Sequence, residues 1–315
     1  MSRSSEPIGG NFRAGGRALL LLADAVKFAI VKALTAGPLR GHELTESLEH
    51  ISRTTQFERL RDLEEMGVIA RKALSLVPRQ SVYRLTVTGE HLLPAASPLE
   101  AWLAEAEPKP LHLGEVGATE PLRALASALN STILRWLAEA NRSPTELERM
   151  VQDSGYLDLK RTLRGLKRSG LVEQLRSGER RHPYELTDWA RRAAAPIGGM
   201  ARWESDHVPE LGSPLTSLDV ETLLLLAARS LDPPSGRSGQ CAFVVEGFGA
   251  VSIAIQAGVV TNCMPGFERG IANWAGGSVA GWRAAILGDT LAGIEVHGDI
   301  ELTNGLVLAL CAVMH

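Results

Sequence analysis

The segment Leu60-Arg-Asp-Leu-Glu-Glu-Met-Gly-Val-Ile69 returns 103 positions later as Leu163-Arg-Gly-Leu-Lys-Arg-Ser-Gly-Leu-Val172. At the same offset Ile30-Val-Lys-Ala-Leu34 returns as Ile133-Leu-Arg-Trp-Leu137. Further on, Tyr83-Arg-Leu-Thr86 matches Tyr184-Glu-Leu-Thr187 at an offset of 101. An offset that persists this far and slips only at a turn marks two copies of one supersecondary unit. The chain must therefore bury the same apolar pattern twice.

Each copy opens on a helix. In the first, Ala23, Val26, Phe28, Ile30, Val31 and Leu34 supply its apolar face, and Gly37-Pro38 stops it. A short helix is expected over 42–48. Ser52 is placed to cap a third helix running to Met66, with Phe57, Leu60 and Leu63 turned to the core. Gly67 supplies a left-handed exit. Strands over 68–74 and 82–86 then form a hairpin around Pro78-Arg79-Gln80, and a closing helix over 89–103 is bent or broken at Pro94 and Pro98. The second copy reads as a helix over 121–139, a helix opened by Ser143-Pro144, and a third over 157–169. A hairpin over 171–187, turning at Ser177-Gly178-Glu179, and a closing helix over 189–203 complete it.

At 315 residues the chain exceeds one core, so two or three domains are expected. The stretch nearest to a membrane span, 18–34, is interrupted by Asp24, Lys27 and Lys32, and no signal-peptide pattern is present. A cytoplasmic protein without a membrane partner is the expectation. Cys241, Cys263 and Cys311 form no CxxC pair and no even disulfide framework, so buried thiols are expected. The eight histidines show no ligand spacing, and neither a metal nor a cofactor is expected. No nucleophile elbow, phosphate loop or dinucleotide loop is present, and His297 beside Glu295 and Asp299 reads as a turn. The chain is therefore not expected to be an enzyme.

The net charge of −3 is unevenly spread: residues 1–105 carry +1, residues 118–206 carry +3, and residues 207–315 carry −6. The last part is a poor phosphate-facing surface. A linker over 206–217 with Pro209, Gly212 and Pro214 leads into it. A helix over 220–230, strands over 241–246, 250–256 and 259–263, a helix over 279–287, a strand over 294–297 and a helix over 301–313 follow. Phe243, Phe248, Phe267, Trp274 and Trp282 are candidates to line an apolar pocket, given room by Gly276, Gly277, Gly281 and Gly293. The same aromatics also suit an ordinary core.

Helix, short helix, capped helix, glycine and basic hairpin together resemble the winged helix-turn-helix. The two Leu-Arg segments, with Tyr83-Arg-Leu-Thr-Val-Thr-Gly89 and Tyr184-Glu-Leu-Thr187, are similar to the HxlR-like branch of bacterial regulators, related to the MarR and PadR types. The resemblance covers 15–105 and 118–206 and implies DNA binding. Family members usually hold one such domain and dimerise, so a tandem leaves the mode of dimerisation open. The early redox cysteine of some members has no counterpart in either copy. Residues 218–315 resemble the sterol-carrier-type (SCP2-like) fold through Ala250-Val-Ser-Ile-Ala-Ile-Gln-Ala-Gly-Val-Val260, Gly277-Ser-Val-Ala-Gly-Trp282, Leu287-Gly-Asp289 and Ile294-Glu-Val-His-Gly-Asp299. That resemblance implies an apolar ligand. The expected fold class is α+β, two tandem winged helix-turn-helix domains followed by a small α/β sandwich of SCP2-like type.

A third helix fits the major groove, where Arg and Gln address guanine and adenine edges. The candidates are Arg53, Thr54, Thr55, Gln56 and Arg59 in the first copy and Lys160, Arg161 and Arg164 in the second. Arg79, Arg180 and Arg181 stand on the hairpins as candidate phosphate contacts. Ordinary solvated helix faces are the alternative for all of them. The chain thus reads as a DNA-binding transcriptional regulator responding to a hydrophobic or aromatic small-molecule effector, with double-stranded DNA as partner and homodimerisation open. The competing reading is a small-molecule binding or sequestering protein whose winged helices no longer touch DNA.

Overall fold

The computed structural model describes residues 13–49, 51–76, 79–151, 156–175, 182–210, 214–268, 270–288 and 290–314. Two helices open the described chain, α1 (Gly16–Ala23) and α2 (Ala25–Leu34). They part at Asp24, whose extended backbone breaks the helix while its carboxylate accepts from the Val26 and Lys27 amides at 3.0 and 3.2 Å. A two-residue strand β1 (Leu39–Arg40) leads to α3 (Gly41–Ser47) and α4 (Arg53–Glu65), the latter capped by Ser52. Strands β2 (Ile69–Leu76) and β3 (Arg79–Leu85) follow, and β1 joins them in the order β1-β3-β2. The closing segment is two helices, α5 (Val87–Ala95) and α6 (Ser97–Ala104), with Pro98 in the first turn of α6.

The next run is α7 (Val116–Ala126), α8 (Ala128–Glu139), α9 (Pro144–Met150), α10 (Tyr156–Arg168), β4 (Val172–Gln174), β5 (Tyr184–Leu186), α11 (Asp188–Arg191) and α12 (Ala194–His207). The single helix expected over 121–139 is therefore two. Ser127 takes an extended conformation and caps the Asn130 amide, 103 positions after Asp24 does the same work. The helix expected over 189–203 is likewise interrupted, between Arg191 and Ala194. The expected turns at Pro78 and at 177–179 lie outside the described residues.

One set of bonds occurs twice. Thr86 Oγ1 donates to the carbonyls of Gly67 (2.5 Å) and Val68 (3.1 Å) and accepts from the Gly89 amide at 3.2 Å. Thr187 Oγ1 donates to Gly170 (2.8 Å) and Leu171 (3.4 Å) and accepts from the Ala190 amide at 3.1 Å. Each threonine thereby ties the exit of the third helix to the start of the closing helix. Gly67 and Gly170 carry the left-handed turn at φ 70° and 76° that lets the chain reverse there.

The rest of the described chain is α13 (Ser217–Ala228), β6 (Gly239–Val245), β7 (Gly249–Gln256), β8 (Val259–Pro265), β9 (Asn273–Gly277), α14 (Val279–Leu287), β10 (Glu295–His297) and α15 (Ile300–Met314). The described strands form one sheet in the order β10-β9-β6-β7-β8, with β6 and β9 parallel and the other pairs antiparallel. The chain is thus α+β, helical first and mixed later. Strand β9 is absent from the sequence expectation, because Gly276 and Gly277 mask the pattern of a strand buried within the sheet.

Helix α13 is largely apolar and buried nearly throughout, as a helix is when it is covered all round. It packs on β7 and on α8, so it joins the sheet to the second helical run. Its two acidic residues meet buried arginines: Glu221 pairs with Arg135 of α8, and Asp219 lies 3.8 Å from Arg13. Burial lowers the pKa of Arg13, and Asp219 only partly opposes this.

The expected pocket aromatics are not arranged around one cavity. Register pairs Ala242 with Trp274 and Phe243 with Ala275, so Phe243 and Trp274 point to opposite faces of the sheet. Phe243 and Trp282 pack edge to face at 5.5 Å, fully buried, and the Trp282 indole donates to the Val244 carbonyl at 2.7 Å. Trp274 stacks on His297 at 3.9 Å, Phe248 is half-buried, and Phe267 is 49% exposed. Nor do the glycines leave space: a Cβ on Gly277 or Gly281 would sit 2.3 Å from the Gly293 carbonyl oxygen. They permit close backbone approach instead of a void.

Candidate nucleic-acid interface

Helix α4 sorts its polar residues in a way that the sequence pattern alone obscures. Arg53 and Thr54 are exposed at its first turn. Thr55 is half-buried, with its hydroxyl 2.8 Å from that of the capping Ser52. Gln56, expected to read bases, is buried at 3% exposure, and its amide donates to the carbonyls of Leu48 (2.8 Å) and Ile51 (2.9 Å). It cannot reach a groove. The inward row is Gln56, Leu60 and Leu63, at i, i+4 and i+7, whereas Phe57 is 62% exposed. Arg59 is also committed elsewhere: it pairs with Asp24 at 2.6 Å and lies 3.8 Å from Asp62, while Lys27 pairs with Asp62 at 2.8 Å. These pairs pin α4 to the start of α2.

A signal for Gln56 is present in the repeat. Its counterpart 103 residues on is Leu159, which is 2% exposed, so a leucine in one copy marks an interior position in the other. The glutamine is retained where two turn carbonyls need donors.

Helix α10 is differently charged. Lys160, Arg161, Arg164, Lys167 and Arg168 are all exposed, while Leu159, Leu163 and Leu166 face inward. Arg168 lies 3.6 Å from Glu120, and among the described residues no carboxylate is within ion-pair distance of the other four. Residues 58, 61, 64 and 65 of α4, which match 161, 164, 167 and 168, read Glu, Arg, Glu and Glu. Arg79 opens strand β3. Arg180 and Arg181 lie outside the described residues.

An open groove of about 540 Å³ beside α2 is lined by Phe28, Lys32, Leu93, Ala96, Glu100 and His112. Within it Glu100 lies 2.9 Å from His112 Nδ1 and accepts from the Leu113 amide at 2.9 Å. The position matching Lys32 is Arg135, which lies against α13. Among the described residues no group of His, Cys, Asp and Glu is placed to hold a metal ion, and no helix is long and apolar enough to cross a membrane.

The family described as HxlR-like helix-turn-helix matches residues 21–109, which span α2 to α6. The HTH-type transcriptional regulator YodB of Bacillus subtilis (strain 168) is 33% identical over 85 residues, covering 27% of this chain and 76% of YodB. The chain belongs to the HxlR-like helix-turn-helix family. Two solved structures of B. subtilis YodB are also similar. The diamide-treated form is 32% identical, covering 27% of this chain and 85% of that one, with a TM-score of 0.26. The reduced form is 34% identical, covering 25% and 78%, with a TM-score of 0.23. The HxlR-like match thus falls on the first helical run, and the assignment is to a non-catalytic family. Each cysteine of this chain lies beyond the matched part, at 241, 263 and 311. Burial pushes Cys241 up to about 11 and Cys263 up to about 12, which leaves both as neutral thiols.

Proposed function

We propose that the chain is a DNA-binding transcriptional regulator that uses two winged helix-turn-helix units, 15–105 and 118–206, with a sterol-carrier-type unit over 218–315. The observation that carries this reading is α10: a row of exposed basic side chains on a helix held like α4, behind an HxlR-like first unit. Such a row neutralises phosphates and positions the helix on the duplex. The duplicated threonine bonds of Thr86 and Thr187 support treating the second run as another copy of the first. Arg53, Thr54 and Thr55 remain the candidates for reading in the first unit, with Lys160, Arg161 and Arg164 in the second. Arg79, Arg180 and Arg181 are assigned to the wings. No effector pocket is assigned to the C-terminal unit, since its aromatics are divided between the two faces of the sheet and solvent.

The test is a titration of the full chain on duplexes selected from a randomised pool. Binding should weaken by at least tenfold between about 50 and 200 mM salt, as counter-ion release at several phosphates requires. Absence of binding to every duplex at about 50 mM salt would overturn the reading.

A further inference from the structure

Matched residues of the two helical runs touch each other reciprocally. In the part of the chain where the offset is 101, Trp102 matches Trp203 and Thr88 matches Trp189. The Trp102 indole donates to the Trp189 carbonyl at 2.8 Å, and the Trp203 indole donates to the Thr88 carbonyl at 3.1 Å. Both indoles are buried, at 3% and 2% exposure. Elsewhere in the contact, where the offset is 103, Ala23 matches Ala126, and each of these two matched carbonyls accepts a bond from the opposite run, from donors that are not themselves matched. The Ala126 carbonyl ending α7 accepts from the Arg13 amide beside α1 at 3.3 Å. The Ala23 carbonyl ending α1 accepts from Thr119 Oγ1 in α7 at 3.2 Å. Matched helices also pack on one another, α1 on α7 and α6 on α12.

A bond from i to j accompanied by one from the copy of i to the copy of j is the signature of an isologous interface, the kind that joins two identical subunits about a twofold axis. Here both sides belong to one polypeptide. We infer that the two units form a dimer within a single chain, and that its target is a duplex with two unequal half-sites occupied by one chain. The inference rests on the DNA-binding reading above.

Inequality follows from α4 and α10. A twofold relation would present both helices to successive turns of the major groove, as in a symmetric dimer. Their side chains differ at almost every exposed position. Phe57 matches Lys160, Glu58 matches Arg161, and Glu64 and Glu65 match Lys167 and Arg168. The half under α10 therefore supplies most of the phosphate neutralisation, and the half under α4 is read by Arg53 and Thr54 at the first turn of its helix. A symmetric palindrome would waste one half.

The experiment uses the full chain and a duplex it has itself selected from a randomised pool. Sedimentation should give a monomer in solution and one chain per duplex. Replacing Lys160 and Arg161 together by Ala should flatten the log–log salt slope by about 1.8, at roughly 0.9 for each phosphate no longer neutralised, and should relax sequence preference in one half only. Replacing Arg53 and Thr54 by Ala should relax preference in the other half with a smaller change in slope. Two chains on a symmetric palindrome would overturn the inference while leaving the DNA-binding reading intact, and so would variants that affect both halves alike. Failure to bind any duplex would overturn both.

Discussion

Glu221 and Arg135 form an ion pair with side chains only 3% and 6% exposed, where α13 of the C-terminal unit lies on α8. Taking two charges out of water costs several kcal/mol each, and their mutual attraction offsets this only while both are present. Replacing Glu221 by Gln preserves shape and leaves the buried charge of Arg135 without a counter-charge. The expected cost is about 3–5 kcal/mol, the usual penalty for breaking a buried pair from one side. A loss of about 3 kcal/mol is more than a hundredfold in the folded-to-unfolded ratio, at about 1.4 kcal/mol per tenfold. Replacing the pair together, Arg135→Met with Glu221→Leu, removes both desolvation costs, so stability should return to near the starting value or exceed it by about 1–4 kcal/mol. Urea unfolding followed by tryptophan fluorescence measures this directly, because Trp136 lies on α8 and Trp282 lies in the C-terminal unit. Added salt should leave the Glu221→Gln deficit unchanged, since a buried site is poorly screened. A deficit below about 1 kcal/mol, or a double variant no better than the single one, would refute the argument that desolvation governs this junction.

Three further outcomes are expected. Gln56→Leu strips two carbonyls of their donor, costing about 1–3 kcal/mol in chemical denaturation while leaving DNA sequence preference untouched; altered preference would restore a reading role to this residue. Thr86→Val and Thr187→Val should each lose about 1 kcal/mol of capping energy and speed hydrogen exchange at the Gly89 or Ala190 amide, and unchanged protection at those amides would contradict the matched-lock account. Cys241 and Cys263 should resist iodoacetamide in the folded chain at about pH 8, read by peptide mass. Their folded pKa values, about 11 and about 12, exceed the unfolded value of about 8.5, so the stability they contribute is present below that value and lost as pH climbs above it. Alkylation at the rate of an open thiol would show the sheet to be looser than described.

How far the sequence can be read depends on which physical signal each element leaves. The repeat is visible because Leu60, Leu63 and Gly67 answer to Leu163, Leu166 and Gly170, and a core needs the same apolar and left-handed positions in both copies. Third-helix bounds follow from Ser52 and Gly67, which act locally. Gln56 and Phe57 come out reversed because hydrophobicity assigns the phenylalanine inward, whereas two turn carbonyls decide the matter. Breaks at Asp24 and Ser127 escape notice since both residues are tolerated inside helices, and only their shared capping role reveals them. In the C-terminal unit the strands around β7 are legible by alternation. The placement of Phe243 against Trp274 is not, because it depends on the parallel register of β6 with β9, a pairing between segments distant in sequence.

In a dimer of identical chains every mutation is made twice, once on each side of the axis, and must suit both places. The chain described above escapes that rule. Glu105 pairs with Arg192 at 2.8 Å on one side of the shared interface; the matching positions on the other side are Asp206 and His91. There His91 instead meets His207, ring nitrogens 3.2 Å apart. Likewise the indoles of Trp102 and Trp189 stack with centroids 4.0 Å apart, whereas the matching positions are Trp203 and Thr88, a pair with one indole only. Each half can drift without dragging its counterpart along. A gene that carries both halves can thus acquire a preference for one orientation on DNA, something no pair of identical subunits can possess.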